Sequence, residues 1–176
     1  SPRNMSSAAS DVYKRQLARS MADEGTPYRG ILYVGLMLTG DGPQVIEFNC
    51  RLGDPEAQVI LPRLRSDLVA AMLATVEGTL GHVSLRWDNR SAVTVVMAAE
   101  GYPGAYEKGS VISGTEGAEA SDDVMLFHAG TKIDDAGTVT AHGGRVLAVT
   151  GLGDDASTAR AAAYAAVDGI DWPGGF

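Results

Sequence analysis

The chain has 176 residues, of which 45% are hydrophobic and 20% charged, a composition typical of globular proteins rather than disordered ones. Its net charge of −8 argues against a nucleic-acid partner, because binding a phosphate backbone needs clustered Lys and Arg. The apolar runs are short and broken by Gly and Pro, so none approaches the roughly 20 residues of a membrane span. A single cysteine and no recognisable signal peptide favour a cytoplasmic protein.

Residues 1–16 differ in character from the rest of the chain. They are polar and mostly small, and they lead without a clear cap into a predicted helix near Val12–Asp23. We interpret residues 1–16 as a non-native or disordered leader and base no functional hypothesis on them.

Two strand-like runs follow. Ile31–Leu38 is continuously apolar, Gln44–Cys50 follows it, and the TGDGP between them is dense in turn residues. This pattern predicts a β-hairpin.

A helix is predicted after the hairpin. Leu68, Ala71, Met72 and Val76 recur at helical spacing, with Ser66 as a candidate N-cap and a glycine at position 78 to end the helix.

Beyond residue 88 the pattern changes to short strands separated by Gly, Pro and Asp. SAVTVVMAA, MLFHAGT, GTVTA and GRVLAVTGLG predict a small β-rich subdomain over residues 89–176. An alanine-rich helix, Asp155–Val167, with Asp154 or Asp155 as its cap, closes it.

The second strand of the hairpin carries the candidate chemistry. Because side chains alternate along a strand, Val45, Glu47, Asn49 and Arg51 are expected on one face, and Ile46, Phe48 and Cys50 on an apolar face against the core. Oxygen donors such as Glu47 and Asn49 suit Mg²⁺, and an Arg beside them suits a carboxylate or phosphoryl group.

The predicted hairpin register adds to this hypothesis. If TGDGP pairs Leu38 with Gln44, then Gly35 lies opposite Glu47 and Met37 opposite Val45. A glycine within an apolar strand marks close approach, here leaving room for metal and phosphates, with Met37 in an apolar floor for a nucleotide base.

Spacing alone leaves a plainer alternative open, since a Glu-x-Asn-x-Arg strand is commonly the solvated face of an antiparallel sheet. The following loop favours a site, because Asp54 and Glu56 add two carboxylates beside the same strand end.

The segment EFNCRLGDPEAQ resembles the signature of the glycinamide ribonucleotide synthetase family of ATP-grasp ligases. The resemblance continues through YRGILYVGLML before it, and through LPRLRSDLV, VVMAAEGYPG, FHAGTK and GGRVLAVTGLG after it. It covers nearly everything from Leu17 to the end of the chain, with several motifs in the expected order.

The resemblance implies an α+β fold. Residues 17–88 correspond to the C-terminal part of an ATP-grasp domain (an antiparallel sheet with helices) with its linker helix, and residues 89–176 to the family's small β-rich C-terminal subdomain, truncated at its end. The implied activity joins glycine to 5-phosphoribosylamine while ATP becomes ADP and phosphate. These small molecules, rather than nucleic acid or a membrane, are the expected partners.

The resemblance also assigns roles to individual residues. Glu47 and Asn49 hold Mg²⁺ or Mn²⁺ and thereby the nucleotide, Arg51 stabilises the acyl-phosphate region, and Asp54 acts in the adjoining loop together with Glu56.

Two features depart from the family pattern. Ile31–Leu38 lacks the acidic metal ligand that many ATP-grasp enzymes carry on this strand, and the phosphate-holding part of the family has no counterpart here. We therefore expect the chain to be a fragment that is inactive alone. Two alternatives stay open, a non-catalytic nucleotide- or partner-binding module derived from such a ligase, and an ATP-grasp ligase for another carboxylate.

The remaining candidates favour structural roles. His128 is expected to be a hydrogen-bonded structural residue, Cys50 a buried inert thiol beside Phe48, and Gly143-Gly144-Arg145 a turn into a strand rather than a phosphate site.

Overall fold

The computed structural model describes residues 2–118 and 121–176, and it divides into two compact units. The first unit holds the residues up to Gly53 together with Ser66–Leu85, and the second holds Asp54–Arg65 and Arg86–Phe176. The second unit therefore includes the short segment 54–65 as well as the whole range predicted as the C-terminal subdomain, 89–176. The predicted boundaries at 16/17 and 88/89 stay predictions.

The elements of the first unit are one long helix, a two-stranded hairpin and a short helix: α1 (Pro2–Asp23), β1 (Tyr33–Thr39), β2 (Gly42–Asn49) and α3 (Leu68–Glu77). The second unit contains the other helices and strands: α2 (Ala57–Ile60), β3 (Ser91–Ala98), α4 (Thr115–Ala118), β4 (Val124–His128), β5 (Thr131–Ile133), β6 (Val139–Ala141), β7 (Arg145–Gly153) and α5 (Ala156–Asp168). Short 3₁₀ turns lie at Leu61–Arg63 and Leu80–His82.

Helix α1 begins at Pro2, well before the predicted start near Val12. The stretch Pro2–Asp23 contains no glycine, and the one proline within it stands at the first helical position, where a missing N–H costs nothing. The hydroxyl of Tyr13 donates a hydrogen bond to the carbonyl of Pro43 at 3.4 Å, which ties α1 to the hairpin. The interpretation of residues 1–16 as a non-native leader stays a prediction.

Helix α3 is capped at both ends. The N-cap is Asp67 rather than the predicted Ser66, and its carboxylate accepts from the amides of Val69 at 2.8 Å and Ala70 at 3.3 Å. Gly78 ends the helix in a left-handed conformation, with φ of 76°, as predicted. The guanidinium of Arg29 donates to the carbonyl of Val76 at 2.8 Å and adds a positive charge at the helix C-terminus.

The second unit is built on a three-stranded antiparallel sheet with strand order β3-β7-β4, onto which α5 packs. The approach is close because β7 lacks side chains where α5 crosses it. A Cβ atom at Gly151 would lie 2.3 Å from the carbonyl oxygen of Ala159, and one at Gly153 would lie 2.5 Å from the Ala159 amide nitrogen. The alanines of α5 and the glycines of β7 therefore specify this contact together.

The core of the second unit centres on β7, where Val146, Leu147 and Val149 are fully buried. Asp155 caps α5 by accepting from the amide of Thr158 at 2.7 Å, one of the two caps predicted. That hydrogen bond holds the pKa of Asp155 below its ordinary value. The α+β composition with antiparallel sheets expected from the sequence is thus confirmed.

Within the described residues, no helix combines the length and the hydropathy that crossing a bilayer requires.

Candidate functional site

The hairpin brings Glu47 directly opposite Gly35, as the sequence predicted. A Cβ atom at Gly35 would lie 3.0 Å from Cγ of Glu47, so the glycine leaves the space that the glutamate side chain occupies. Two residues further along, Tyr33 pairs with Asn49. Because paired residues share a face and faces alternate, the carboxylate of Glu47 and the amide of Asn49 lie on the same side of the hairpin.

The register shifts by one residue after Gly35, where Ile46 is the extra residue of a β-bulge. The prediction that Met37 faces Val45 is therefore wrong, since Leu36 takes Val45 as its partner. The cause lies in the turn. The last pair is Thr39 with Gly42, so the loop has two residues, whereas the predicted loop was the five residues TGDGP.

The bulge changes which side chains surround the carboxylate. Val45, as the partner of Leu36, leaves the face of Glu47, which corrects the prediction that Val45, Glu47 and Asn49 share one face. Met37 now pairs with Gln44 and stays on the Glu47 face, where its side chain is 54% exposed. Its predicted place in a floor for a nucleotide base is compatible with this position.

Arg51 lies outside the strand. β2 ends at Asn49, and the hydroxyl of Tyr28 donates to the carbonyl of Cys50 at 3.1 Å just beyond that end. The Arg51 guanidinium donates to the neighbouring carbonyl of Leu52 at 2.8 Å. Because the ladder ends at Asn49, strand alternation does not determine the face of Arg51, and its place beside Glu47 stays a prediction.

Asp54 belongs to the second unit and is held there by two side chains. Arg145 Nη1 donates to the Asp54 carbonyl oxygen at 2.8 Å and lies 3.7 Å from carboxylate Oδ2. Gln58 Nε2 donates to Oδ1 at 3.0 Å. These contacts fix the orientation of the carboxylate that the sequence singled out.

The segment that carries Asp54 is fastened to the sheet through Thr150. This side chain is fully buried, and its hydroxyl donates to the carbonyl of Gln58 at 2.8 Å and lies 2.9 Å from the hydroxyl of Thr94. Sequence reasoning missed Thr150, because a threonine within a strand gives no signal of a partner 92 residues away.

Asp88 is a second anchor that the sequence did not reveal. Its carboxylate accepts from Arg65 and from Arg90, and Arg90 also contacts Asp123 at 2.6 Å. Hydrogen bonds from the Arg90 side chain, and then from its backbone amide, hold the pKa of Asp88 well below its ordinary value. The three ion pairs tie the segment ending at Arg65 to the start of β3 and to the loop before β4.

The donor set on the hairpin fits a hard cation. Among the described residues no three His, Cys, Asp or Glu side chains cluster as a metal cage would require. Glu47 and Asn49 instead supply two oxygen donors on one face, and Mg²⁺ commonly takes one or two protein ligands, completing its shell with phosphate and water oxygens. Glu47 and Asn49 are therefore donors of the kind and number that a hard divalent cation takes from a protein.

Cys50 is exposed, and the expectation of a buried thiol is wrong. The face predicted to lie against a core is not covered in the described structure, since Ile46 is 63% and Phe48 45% exposed. Side-chain alternation identified the apolar face correctly, but a two-stranded hairpin buries both faces only when other elements pack on each of them.

The other sequence candidates have structural contacts. Nδ1 of His128 lies 3.0 Å from the hydroxyl of Thr131, which fits the predicted hydrogen-bonded role. The chain bends at Gly143 and Gly144 directly before β7 begins at Arg145, which fits the predicted turn into a strand.

Comparisons with known proteins agree with this geometry. The family model for the ATP-grasp (A) domain of phosphoribosylglycinamide synthetase matches residues 1–57, and the model for the C domain of the same protein matches residues 92–176. The first match includes residues 1–16, which were set aside above. The two matches thus identify part of an ATP-grasp domain followed by the C domain of the same class of protein.

Among curated relatives, the phosphoribosylamine–glycine ligase of Mesorhizobium japonicum is 54% identical over 158 residues, 90% of this chain and 37% of the relative. The chloroplastic phosphoribosylamine–glycine ligase of Arabidopsis thaliana is 52% identical over 161 residues, 90% of this chain and 30% of the relative. The chain belongs to the phosphoribosylglycinamide synthetase family. It spans 37% and 30% of the length of these two relatives.

Solved structures point the same way. The phosphoribosylamine–glycine ligase of Thermotoga maritima matches with a TM-score of 0.72 and 38% identity, covering 88% of this chain and 37% of that one. The N5-carboxyaminoimidazole ribonucleotide synthetase of the same organism has a TM-score of 0.56 at 18% identity, covering 91% and 41%, and shows a shared fold alone. The ATP-grasp fold class expected from the sequence is therefore confirmed.

Proposed function

We propose that the chain supplies the metal-binding hairpin and C domain of an ATP-dependent ligase that joins glycine to 5-phosphoribosylamine. In this reaction ATP phosphorylates the glycine carboxylate and leaves as ADP. The amine of phosphoribosylamine then attacks the acyl carbon and displaces phosphate, which gives glycinamide ribonucleotide. Family membership and the names of the relatives support this choice of substrates.

The observation that carries the proposal is the placement of Glu47 and Asn49 on one face of the hairpin, with Gly35 leaving the space that the Glu47 side chain occupies. Their oxygens would hold Mg²⁺ or Mn²⁺, and Met37 would contact the nucleotide on the same face. A divalent cation bound there supplies positive charge that stabilises the transferring phosphoryl group.

Two further residues have proposed catalytic roles. The Arg51 guanidinium would orient and stabilise the acyl-phosphate oxygens, as the family resemblance implies. The Asp54 carboxylate, held by Gln58 and Arg145, would act in the same loop. We place the reaction in the cytoplasm, in keeping with a single free cysteine, and among small-molecule partners, in keeping with the net charge of −8.

A hybrid ligase tests the proposal. In the M. japonicum relative, the section that this chain matches is replaced by the residues of this chain, and ADP formation that requires both glycine and phosphoribosylamine is measured. We expect kcat/KM within about tenfold of the parent, a change of about 1.4 kcal/mol in the barrier. Nucleotide binding without ligation would support the non-catalytic module instead, and a preference for another carboxylic acid would support the other ligase.

A further inference from the structure

The side-chain amide of Gln58 is used at one end and left unpaired at the other. Its Nε2 donates to Oδ1 of Asp54 at 3.0 Å. Its Oε1 is buried, and no group among the described residues donates a hydrogen bond to it. The same amide therefore holds Asp54 with its donor and leaves its acceptor without a partner.

An unpaired buried acceptor is unfavourable, because it gives up hydrogen bonds to water and gains none in return. An apolar side chain of similar length at position 58 would avoid this cost. Such an orphaned polar group therefore requires an explanation other than stability. The explanation that the geometry offers is the hydrogen bond that the amide donates to Asp54.

The backbone of Gln58 is fixed separately from its side chain. Its amide donates to the carbonyl of Pro55 at 3.1 Å, and its carbonyl accepts from the hydroxyl of Thr150 at 2.8 Å. Thr150 is fully buried in β7. The side chain that holds Asp54 thus extends from a backbone anchored to the sheet, as accurate placement of a functional group requires.

The carboxylate of Asp54 has one oxygen held by the protein and one with room for a ligand. Oδ1 takes the Gln58 amide, whereas Oδ2 lies 3.7 Å from Nη1 of Arg145, too far for a hydrogen bond. The Asp54 side chain is 54% exposed. An ionised carboxylate oxygen accepts hydrogen bonds and donates none. Oδ2 is therefore suited to a ligand group that donates, such as an amine.

We propose that Gln58 is a positioning residue, which orients Oδ2 of Asp54 towards the amine that attacks the acyl phosphate. The inference rests on the proposed function, in which this amine must approach the acyl carbon in a defined direction. A hydrogen bond from the amine N–H to Oδ2 sets that direction, and a misplacement of about 1 Å can cost roughly 100-fold in rate. Gln58 acts through Asp54 and touches no substrate itself.

Gln58→Met in the hybrid ligase tests the inference, because methionine has a similar length but no N–H to donate. We expect kcat for ligation to fall at least about tenfold, with the KM for ATP within about twofold of the unaltered hybrid. In the chain alone, the Tm of the variant should equal or exceed that of the wild type, since the unpaired acceptor is gone and the exposed Asp54 carboxylate is hydrated instead. A residue with a structural role alone would show the reverse, a lower Tm and an unchanged kcat.

The matched control is Ser110→Ala, which removes a hydrogen bond of the second unit that does not involve Asp54. Nε1 of Trp172 donates to Oγ of Ser110 at 2.9 Å. This variant should lower the Tm and leave kcat within about twofold below the unfolding transition. A double-mutant cycle shows whether Gln58 acts through Asp54, since Gln58→Met should change kcat less than about twofold once Asp54→Ala is present.

Three results would overturn the inference: an unchanged kcat in Gln58→Met, a lowered Tm in Gln58→Met, or an equal loss of kcat with and without Asp54→Ala. An unaltered hybrid that makes no product from glycine and phosphoribosylamine would refute the proposed function instead. The contact is also measured without activity, because exchange of the Gln58 side-chain amide protons in the chain should become faster in Asp54→Ala. An unchanged exchange rate would refute the positioning role whatever the hybrid does.

Discussion

The contact between β7 and α5 yields a quantitative prediction for Gly151→Ala. The new Cβ atom would lie 2.3 Å from the carbonyl oxygen of Ala159 and 2.6 Å from the amide nitrogen of Ala163. Both obstructing atoms belong to the backbone of α5, so no side-chain rotation relieves the overlap. The helix must move away from the sheet as a whole.

Overpacking of a core costs about 1–3 kcal/mol when side chains adjust. Here the backbone must shift, so we expect the upper end of this range, about 3 kcal/mol. For a unit of roughly 100 residues this lowers the Tm by more than about 10 °C. The gain in strand propensity from replacing glycine, about 0.5–1 kcal/mol, is too small to offset the loss.

Urea and thermal unfolding, followed by the fluorescence of the buried Trp172, measure the effect. Gly117→Ala is the matched control, since no atom lies within 4 Å of the added Cβ atom in α4. It should leave the free energy of unfolding unchanged or raise it by up to about 1 kcal/mol. A Gly151→Ala chain as stable as the wild type would refute the close-packing account of this contact.

Three further predictions concern the anchors and the activity. Thr150→Val keeps the side-chain shape but leaves the carbonyl of Gln58 without its donor. We therefore expect the free energy of unfolding in urea to fall by about 1–2 kcal/mol and amide exchange in Ala57–Ile60 to become faster. Thr150→Ser keeps the hydroxyl and should show neither effect. Because the pKa of Asp88 is lowered on folding, the carboxylate stabilises the folded state above its unfolded pKa of 3.8, and this contribution is lost as the pH falls towards the folded pKa. Asp88→Asn should therefore lower the free energy of unfolding at pH 7, and the free energy should decrease less steeply below pH 4 than in the wild type, as measured by urea unfolding at each pH. The purified chain alone should form no ADP in a glycine-dependent manner, and detectable turnover would contradict its being only part of the catalytic machinery.

Local signals in the sequence were sufficient for part of this structure. The helix ends at Gly78 and Asp155 follow from the conformational freedom of one residue and the capping oxygen of the other. The pairing of Gly35 with Glu47 was predictable because turn residues between two apolar runs restrict a hairpin to a few registers. The bulge at Ile46 was not predictable, since the same five turn residues permit loops of different length.

Contacts between segments far apart in the sequence could not be predicted. Nothing in the sequence pairs Thr150 with Gln58, or Arg90 with Asp123, because each pairing depends on how the strands are ordered in the sheet. Exposure was misjudged at Cys50 and Phe48 for a related reason. Periodicity identifies apolar faces, but whether a face is covered depends on which surfaces are present to cover it.

The central claim is that Glu47 holds the divalent cation that the ligation requires. The most direct measurement is the Mg²⁺ dependence of ligation by the hybrid ligase with Glu47→Gln, beside Asp41→Asn, which removes a carboxylate at the tip of the same hairpin. We expect Glu47→Gln to lower kcat by more than about 100-fold and to raise the Mg²⁺ concentration for half-maximal rate by more than about tenfold, with Asp41→Asn within about twofold of the hybrid. A Glu47→Gln enzyme with unchanged kcat and Mg²⁺ dependence would contradict the account.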